Sequence, residues 1–445
     1  MKILLINPWI YDFAAFDLWA KPLGLLYIGS FLEKFGYKVS LSDCLWRHHP
    51  EVKEKIKLKK YATGKFFSEE VEKPPLLKNI PRKYKRYGIP RIIFENDLKE
   101  GGRPDLIIIT SIMTYWYPGV FDAISIIKKI FPDTPIILGG IYACLCSDHA
   151  KKYSQADYII PGDGKIECLK IADSISGKKR SYDKINTDLD QIPYPAYHLY
   201  EEIDSISMIT SLGCPLNCTY CASSFIQPDF IERAPDEVFK EILYYREKFE
   251  IKDIAFYDDA LLINSKARFI PLVEKIIKQK LNIRFHTPNG LHIRLINEKI
   301  ADLFYKAGFK TLRLSFESSI KRIQNSSSMK TTNQDLISAK KCLRNAGYNN
   351  EKIETYVMVG LPYQDRNEII DAVRFVHDLG LKVKLVEYSP IPHTVDYEKT
   401  ITKYKNIGTD PLLHNNSIFS MLTDEVGYKN LMEIKDLVAD LNRKL

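Results

Sequence analysis

Three cysteines fall within eight residues, in Ser211-Leu-Gly-Cys214-Pro-Leu-Asn-Cys218-Thr-Tyr-Cys221. Gly213 and Pro215 favour a turn or loop there, so the three thiols can converge on one point. Thiolates ligate iron–sulfur clusters, and a four-iron cluster usually takes four protein ligands. Only three are close here. Cys168 and Cys342 are distant in sequence and fall in expected helices, and Cys44, Cys144 and Cys146 lie well upstream. A cluster with three protein ligands leaves one iron open to an external chelator. A structural zinc site would want a fourth Cys or His nearby, and no histidine lies between His198 and His286. Eight cysteines in 445 residues do not read as a disulfide framework.

The elements that must position these thiols alternate between strand and helix. Apolar runs at Lys2–Asn7, Lys38–Leu41, Asp105–Thr110, Pro135–Gly140 and Ala156–Pro161 read as strands. Helical periodicity marks Pro22–Phe35, Val120–Ile130 and Lys165–Ile175. This pattern predicts an α/β fold that opens with a doubly wound parallel sheet. The domain is expected over residues 1–176, interrupted by a basic insertion at about 47–103, with a Gly- and Pro-punctuated linker over 177–205. The alternation then restarts. Strands are expected at Ile206–Ser211, Asp253–Tyr257, Ile283–His286, Thr311–Ser315, Glu354–Val359 and Val383–Tyr388. Helices are expected between them, at Asp236–Lys248, Lys266–Lys278, Glu298–Ala307, Asn333–Ala346 and Arg366–Leu379. A row of β-α units over 206–400 suits a partial (β/α)6 barrel with its chemistry at the carboxyl ends of the strands. A helical tail over 401–445 completes the chain.

Cys-x3-Cys-x2-Cys, with Tyr220 just before the third cysteine, resembles the signature of the radical S-adenosylmethionine (SAM) superfamily. The resemblance extends from about Ile206 to Thr394. In that family the open iron of a [4Fe-4S] cluster is chelated by the methionine part of SAM. An electron from the cluster breaks a carbon–sulfur bond, and the 5′-deoxyadenosyl radical so formed abstracts hydrogen from a substrate. The resemblance implies SAM contacts from Tyr220 and from Asp258 and Asp259 at the end of the second barrel strand, where a carboxylate can hold the cofactor ammonium. It implies further contacts from Glu317 at the end of the fourth strand and from Gly360 at the end of the fifth. A glycine there lets backbone approach the adenine closely.

An open parallel sheet binds ligands beyond the carboxyl ends of its strands. In the first domain those loops carry Thr110, Ser111, Gly139, Gly140, Gly162 and Gly164. With Asn7-Pro8 and Pro22-Leu-Gly24, the domain resembles the cobalamin-binding domain that precedes many radical SAM barrels. The Asp-x-His-x-x-Gly motif that supplies cobalt with a histidine elsewhere is absent. Cobalamin is therefore expected through this resemblance, and the small residues of the loops are its expected contacts. The implied reaction is methylation of an unactivated substrate, or a radical rearrangement. Two alternatives stay open. One is a cobalamin-free radical enzyme related to the methylthiotransferases, although their second cysteine triplet and RNA-binding tail are not matched. The other is a non-catalytic corrinoid or redox sensor.

Composition bounds the rest. The chain is 45% hydrophobic and 27% charged, with a net charge of +8, as ordinary globular proteins are. No apolar run reaches membrane-span length, and no signal-peptide pattern opens the chain. The expected location is the cytoplasm, and no membrane is expected as a partner. Much of the positive excess lies in Arg47–Lys99, including Lys53, Lys55, Lys57, Lys59, Lys60 and Arg82-Lys83-Tyr84-Lys85-Arg86. Such runs are usually solvated faces, so nucleic acid is not the expected partner. A small-molecule substrate is, together with a reducing protein such as a flavodoxin or ferredoxin.

Overall fold

The computed structural model describes residues 1–327, 331–349, 353–404 and 410–445. Its chain divides into two units, Met1–Asp204 with Asp410–Leu412, and Ser205–Thr409 with Leu413–Leu445. The first is built on five parallel strands: Lys2–Asn7 (β1), Lys38–Asp43 (β2), Leu106–Ile109 (β3), Ile136–Leu138 (β4) and Tyr158–Ile159 (β5). Their order is β2-β1-β3-β4-β5. Every residue of β3 and β4 is buried, which is why those segments read as unbroken apolar runs. The order reverses between β1 and β3, and that reversal opens a crevice at the carboxyl ends of the sheet.

The basic insertion is more ordered than its composition suggests. Ser68–Glu70 and Lys85–Tyr87 pair antiparallel with each other, and Lys85–Tyr87 pairs with Ile10–Asp12. Arg91–Gly101 follows as a helix. Its cations are partly neutralised locally: Lys83 meets Glu70 at 2.7 Å, Arg91 meets Asp122 at 2.7 Å, and Arg86 pairs with Glu69. The stretch 177–205, expected as a linker, is instead bound into the first unit. Arg180 and Tyr182 both donate to the buried Asp173 carboxylate, at 2.9 and 3.0 Å. The Ala196 amide donates to the Leu26 carbonyl at 3.1 Å.

The second unit contains six parallel strands: Ser205–Met208 (β6), Asp253–Phe256 (β7), Arg284–His286 (β8), Phe309–Glu317 (β9), Ile353–Val359 (β10) and Lys382–Glu387 (β11). They lie in chain order, β6 to β11, as a partial (β/α)6 barrel requires. Alternate residues face outward to the helices. On β9 these are Leu312, Leu314 and Phe316, all fully buried, with Phe316 stacked on Phe375. The part of the tail that falls at 405–409 lies outside the described residues. The terminal helix Gly427–Arg443 is no appendage. Asn442 brackets the backbone of Val383 at 2.9 and 2.8 Å, and Lys435 meets Glu387 at 2.7 Å. Among the described residues no helix is long and apolar enough to cross a membrane.

The inner face of the barrel is polar. His286, fully buried, bonds Asp253 at 2.8 Å and Thr311 at 3.0 Å, and Arg284 donates to Asp253 at 2.7 Å. Burial holds the His286 imidazole below its ordinary 6.5, outweighing the raising pull of Asp253. The folded ring therefore stays neutral at a pH where the unfolded chain binds a proton, and stability falls as pH drops below about 6.5. Urea midpoints should decline from pH 7.5 to 5.5 in the wild type, and His286→Gln should flatten that slope. An equal slope in both would exclude His286 as its source.

Candidate active site

The three cysteines sit on a loop held at several points. The loop leaves β6 through Thr210 and Ser211, and Ser211-Leu212 pairs antiparallel with Ile231-Glu232. Gly213 then turns with φ +76°. A Cβ there would lie 2.7 Å from the Asp229 carbonyl oxygen and 3.1 Å from that of Gln227. Gly213→Ala should thus cost about 1–2 kcal/mol in backbone strain alone, with the overlap in addition. We expect a lowered melting temperature and a lower yield of iron on reconstitution.

Further along, Thr219 is tied to Asp396 twice. Its hydroxyl donates to the carboxylate at 2.8 Å, and its carbonyl accepts from the Asp396 amide at 2.9 Å. Tyr220 donates to Glu317 at 3.0 Å, and Ser315 donates to the same oxygen at 2.9 Å. Burial, reinforced by the charges of Glu317 and Cys218, holds the Tyr220 hydroxyl far above the ordinary phenol value, so it remains a donor. Ser223 donates to Asp259 at 2.8 Å, and Phe225 stacks flat on His393 with ring centres 3.8 Å apart. Glu317 itself has φ +72°, an unusual conformation for a side-chain-bearing residue.

These restraints bring Cys214, Cys218 and Cys221 onto the wall of one cavity, which also exposes Tyr220, Ser223, Asp258, Asp259, Thr287, Asn289, Gly290 and His292. Among the described residues no three His, Cys, Asp or Glu side chains are set to grip a single metal ion. The three thiols share the wall of this cavity. This donor set fits a thiolate-bound iron–sulfur cluster.

Two of the expected cofactor contacts are otherwise engaged. Asp258 is 3% exposed. Its carboxylate accepts from the Thr210 amide at 3.0 Å, the Thr210 hydroxyl at 2.6 Å and the Ser211 hydroxyl at 2.7 Å. It holds the root of the cysteine loop, and of the two aspartates that line the cavity Asp259 is the exposed one. Gly360 was expected to admit a flat base. The space beside it is taken by Ser420, whose Oγ would lie 2.4 Å from a Cβ at that position, and its amide donates to Gln364 at 2.9 Å. The cavity residues Thr287, Asn289, Gly290 and His292 escaped the sequence reading. Their signal was Thr287-Pro-Asn-Gly290 directly after β8, at the carboxyl end where barrel chemistry gathers.

In the first unit, Thr110 and Ser111 follow β3, Gly139 and Gly140 follow β4, and Gly162 and Gly164 follow β5. Gly140 has φ +86°, and a Cβ there would lie 2.5 Å from the Thr110 Oγ1 and 2.6 Å from the Ser111 carbonyl oxygen. It lets two loops of the crevice touch. Gly162 has nothing within 4 Å of its Cβ position, and Gly139 only the Ile160 carbonyl oxygen at 3.6 Å. Those two present bare backbone, a surface suited to a broad, flat ligand.

The sequence profile of the Radical SAM superfamily matches residues 208–376, from the end of β6 through the helix after β10. Residues 208–376 of this chain thus carry a radical SAM domain. An uncharacterized methyltransferase of Pyrococcus horikoshii is 24% identical over 330 residues, covering 67% of this chain and 70% of that protein. The cytidylyl-2-hydroxyethylphosphonate methyltransferase of Streptomyces wedmorensis is 22% identical over 381 residues, covering 72% and 66% respectively. Among solved structures, the radical SAM methyltransferase TsrM of Kitasatospora setae, with tryptophan and a SAM analogue bound, superposes with a TM-score of 0.68 at 14% identity. The match covers 99% of this chain and 88% of TsrM. TsrM with cobalamin and a [4Fe-4S] cluster bound gives 0.64 at 14% identity, over 96% and 86%. The shared fold takes in residues of both units.

Proposed function

We propose that this chain is a cobalamin-dependent radical SAM methyltransferase acting on a small molecule in the cytoplasm. The observation that carries the reading is the placement of Cys214, Cys218 and Cys221 on one cavity wall with Tyr220, Asp259 and Asn289. The methyltransferase relatives and the two-unit likeness to TsrM support it.

In this reading the three thiolates hold a [4Fe-4S] cluster and Asp259 holds the ammonium of SAM. Tyr220 would form part of the wall beside SAM, its ring held by the hydrogen bond its hydroxyl donates to Glu317 behind it. Gly139 and Gly162 offer cobalamin bare backbone at the crevice of the first sheet, in loops that Gly140, packed on Thr110 and Ser111, and Gly164, packed on Ile160 and Cys168, hold in place. When bound, the cluster with SAM supplies one-electron chemistry, and cobalamin supplies a methyl carrier. The chain's own part is to position these groups and exclude water around them. The electron comes from a flavodoxin- or ferredoxin-like donor.

Protein purified anaerobically from cobalamin-fed cells should contain cobalt with a corrinoid visible spectrum. With reductant and SAM it should release 5′-deoxyadenosine or S-adenosylhomocysteine. Absence of corrinoid under saturating supply would remove the cobalamin part, and absence of both products would remove the enzyme.

A further inference from the structure

The inner wall of the barrel carries positive charge that the described contacts do not consume. Orientation on β11 is fixed by its outer contacts. The Glu387 side chain is paired with Lys435 on the terminal helix, and Val383, on the same face, is buried. Alternate residues of a strand face opposite ways, so Lys382 and Lys384 face inward. Their register partners agree: Lys382 lies beside Glu354 and Lys384 beside Tyr356, and Glu354 and Tyr356 in turn lie beside Arg313 and Ser315 on β9. Arg313 is 7% exposed and donates to Glu354 at 3.0 Å. That leaves three cations, Arg313, Lys382 and Lys384, on a face with two carboxylates, of which Glu354 takes Arg313 and Glu317 takes the Tyr220 and Ser315 hydroxyls. Among the described residues neither lysine side chain has an ion pair or hydrogen bond.

This wall leads to the cysteine cavity. The ring of Tyr356 lies 3.1 Å from the position a Cβ on Gly290 would take, and Gly290 lines the cavity. Strands of a sheet run about 4.8 Å apart, so Lys384 sits one strand from Tyr356. A small molecule with its reacting atom in the cavity can thus extend past Gly290 and Tyr356 to Lys384. Lys384 is exposed, Lys382 half-buried and Arg313 buried, so the group runs from solvent toward the cavity, and a concave surface of one sign focuses the field on an anion.

We propose that Lys384, with Lys382 and Arg313, binds an oxyanion group of the substrate, a phosphoryl or carboxylate group remote from the reacting atom. This rests on the reading of the cavity as the radical site. The test titrates the anaerobically reconstituted holoenzyme with inorganic phosphate and, separately, with succinate, by calorimetry. At least one should bind, and which one binds distinguishes a phosphoryl from a carboxylate substrate. Lys382→Gln/Lys384→Gln should weaken that binding at least about tenfold, and Lys384→Arg should retain it. Lys306→Gln, on the outer surface, should match the wild type. Should the double variant misfold by circular dichroism, Lys384→Gln alone carries the comparison. No binding of either anion, or equal binding by wild type and the lysine variants, overturns the proposal. Iron content and SAM cleavage are read on the same samples. Anion binding at Lys384 without SAM cleavage would leave this site standing and remove the radical reading instead.

Discussion

Replacing any one of Cys214, Cys218 or Cys221 with alanine should abolish stoichiometric iron and sulfide uptake and reduce SAM cleavage to the detection limit, while leaving the fold intact. The reasoning is local. Cys214 and Cys218 are half-buried and Cys221 is exposed, so none fills a core position. Substitutions away from core, caps and networks usually change stability by about 0.5 kcal/mol or less. The loop they sit on is restrained by other residues: Gly213 at its turn, Thr219 on Asp396, Tyr220 on Glu317 and Ser223 on Asp259. Loss of one thiolate therefore removes a ligand without releasing the loop. Cys168→Ala makes the opposite control. That thiol is 1% exposed, 3.6 Å from the Cβ position of Gly164, and burial pushes it up to about 12. It should lose stability and keep its iron. Melting curves and iron analysis on the four variants separate the two behaviours. Full iron in any of the three loop variants would end the cluster assignment.

The parts of this molecule that could be read from sequence are those whose signal is local. β3 and β4 are apolar because both faces are covered, and the cysteine spacing is contained in one loop. The strand β9 extends beyond its expected Thr311–Ser315 to Phe309–Glu317. Its last residue takes a left-handed conformation that composition does not announce. The small sheet of the basic insertion went unread for a different reason. Its strands are three residues long, and one, Ile10–Asp12, is far upstream of the other two. Gly360 illustrates an ambiguity. A glycine after a strand signals close approach, but the sequence does not say whether a ligand or Ser420 approaches. Asp258 and Asp259 are adjacent and alike in sequence, and only the fold separates the buried one that grips Thr210 from the exposed one that accepts from Ser223. Lys382 and Lys384 read as ordinary strand polarity until the terminal helix shows which face is outside.

Removing the buried charge pair behind the cysteine loop should have the largest effect on stability. Arg268 is 5% exposed and Asp258 is 3% exposed, and they approach to 3.8 Å. Thr210 stands between them. Its hydroxyl donates to Asp258 at 2.6 Å and accepts from Arg268 at 2.9 Å, and its carbonyl accepts from Arg268 at 3.0 Å. Arg268 also donates to the carbonyls of Ala260, Leu261 and Ile263 at 3.1, 3.2 and 2.9 Å. One guanidinium therefore satisfies the turn after β7 and the residue from which the cysteine loop departs. Asp258→Ala leaves Arg268 only the Glu232 carboxylate at 2.9 Å as a charge partner, and orphans two Thr210 donors and the Ser211 hydroxyl. Arg268→Met strands the carboxylate and four carbonyls. Truncating one partner of a buried pair costs about 3–5 kcal/mol, a large share of a domain's stability. Both single variants should lower the urea midpoint strongly and fail to retain iron. The double variant should lose less than the two single losses combined, because each charge is then removed with its partner. Additive losses would show that the two side chains act separately, and would leave the cysteine loop held by its other contacts alone.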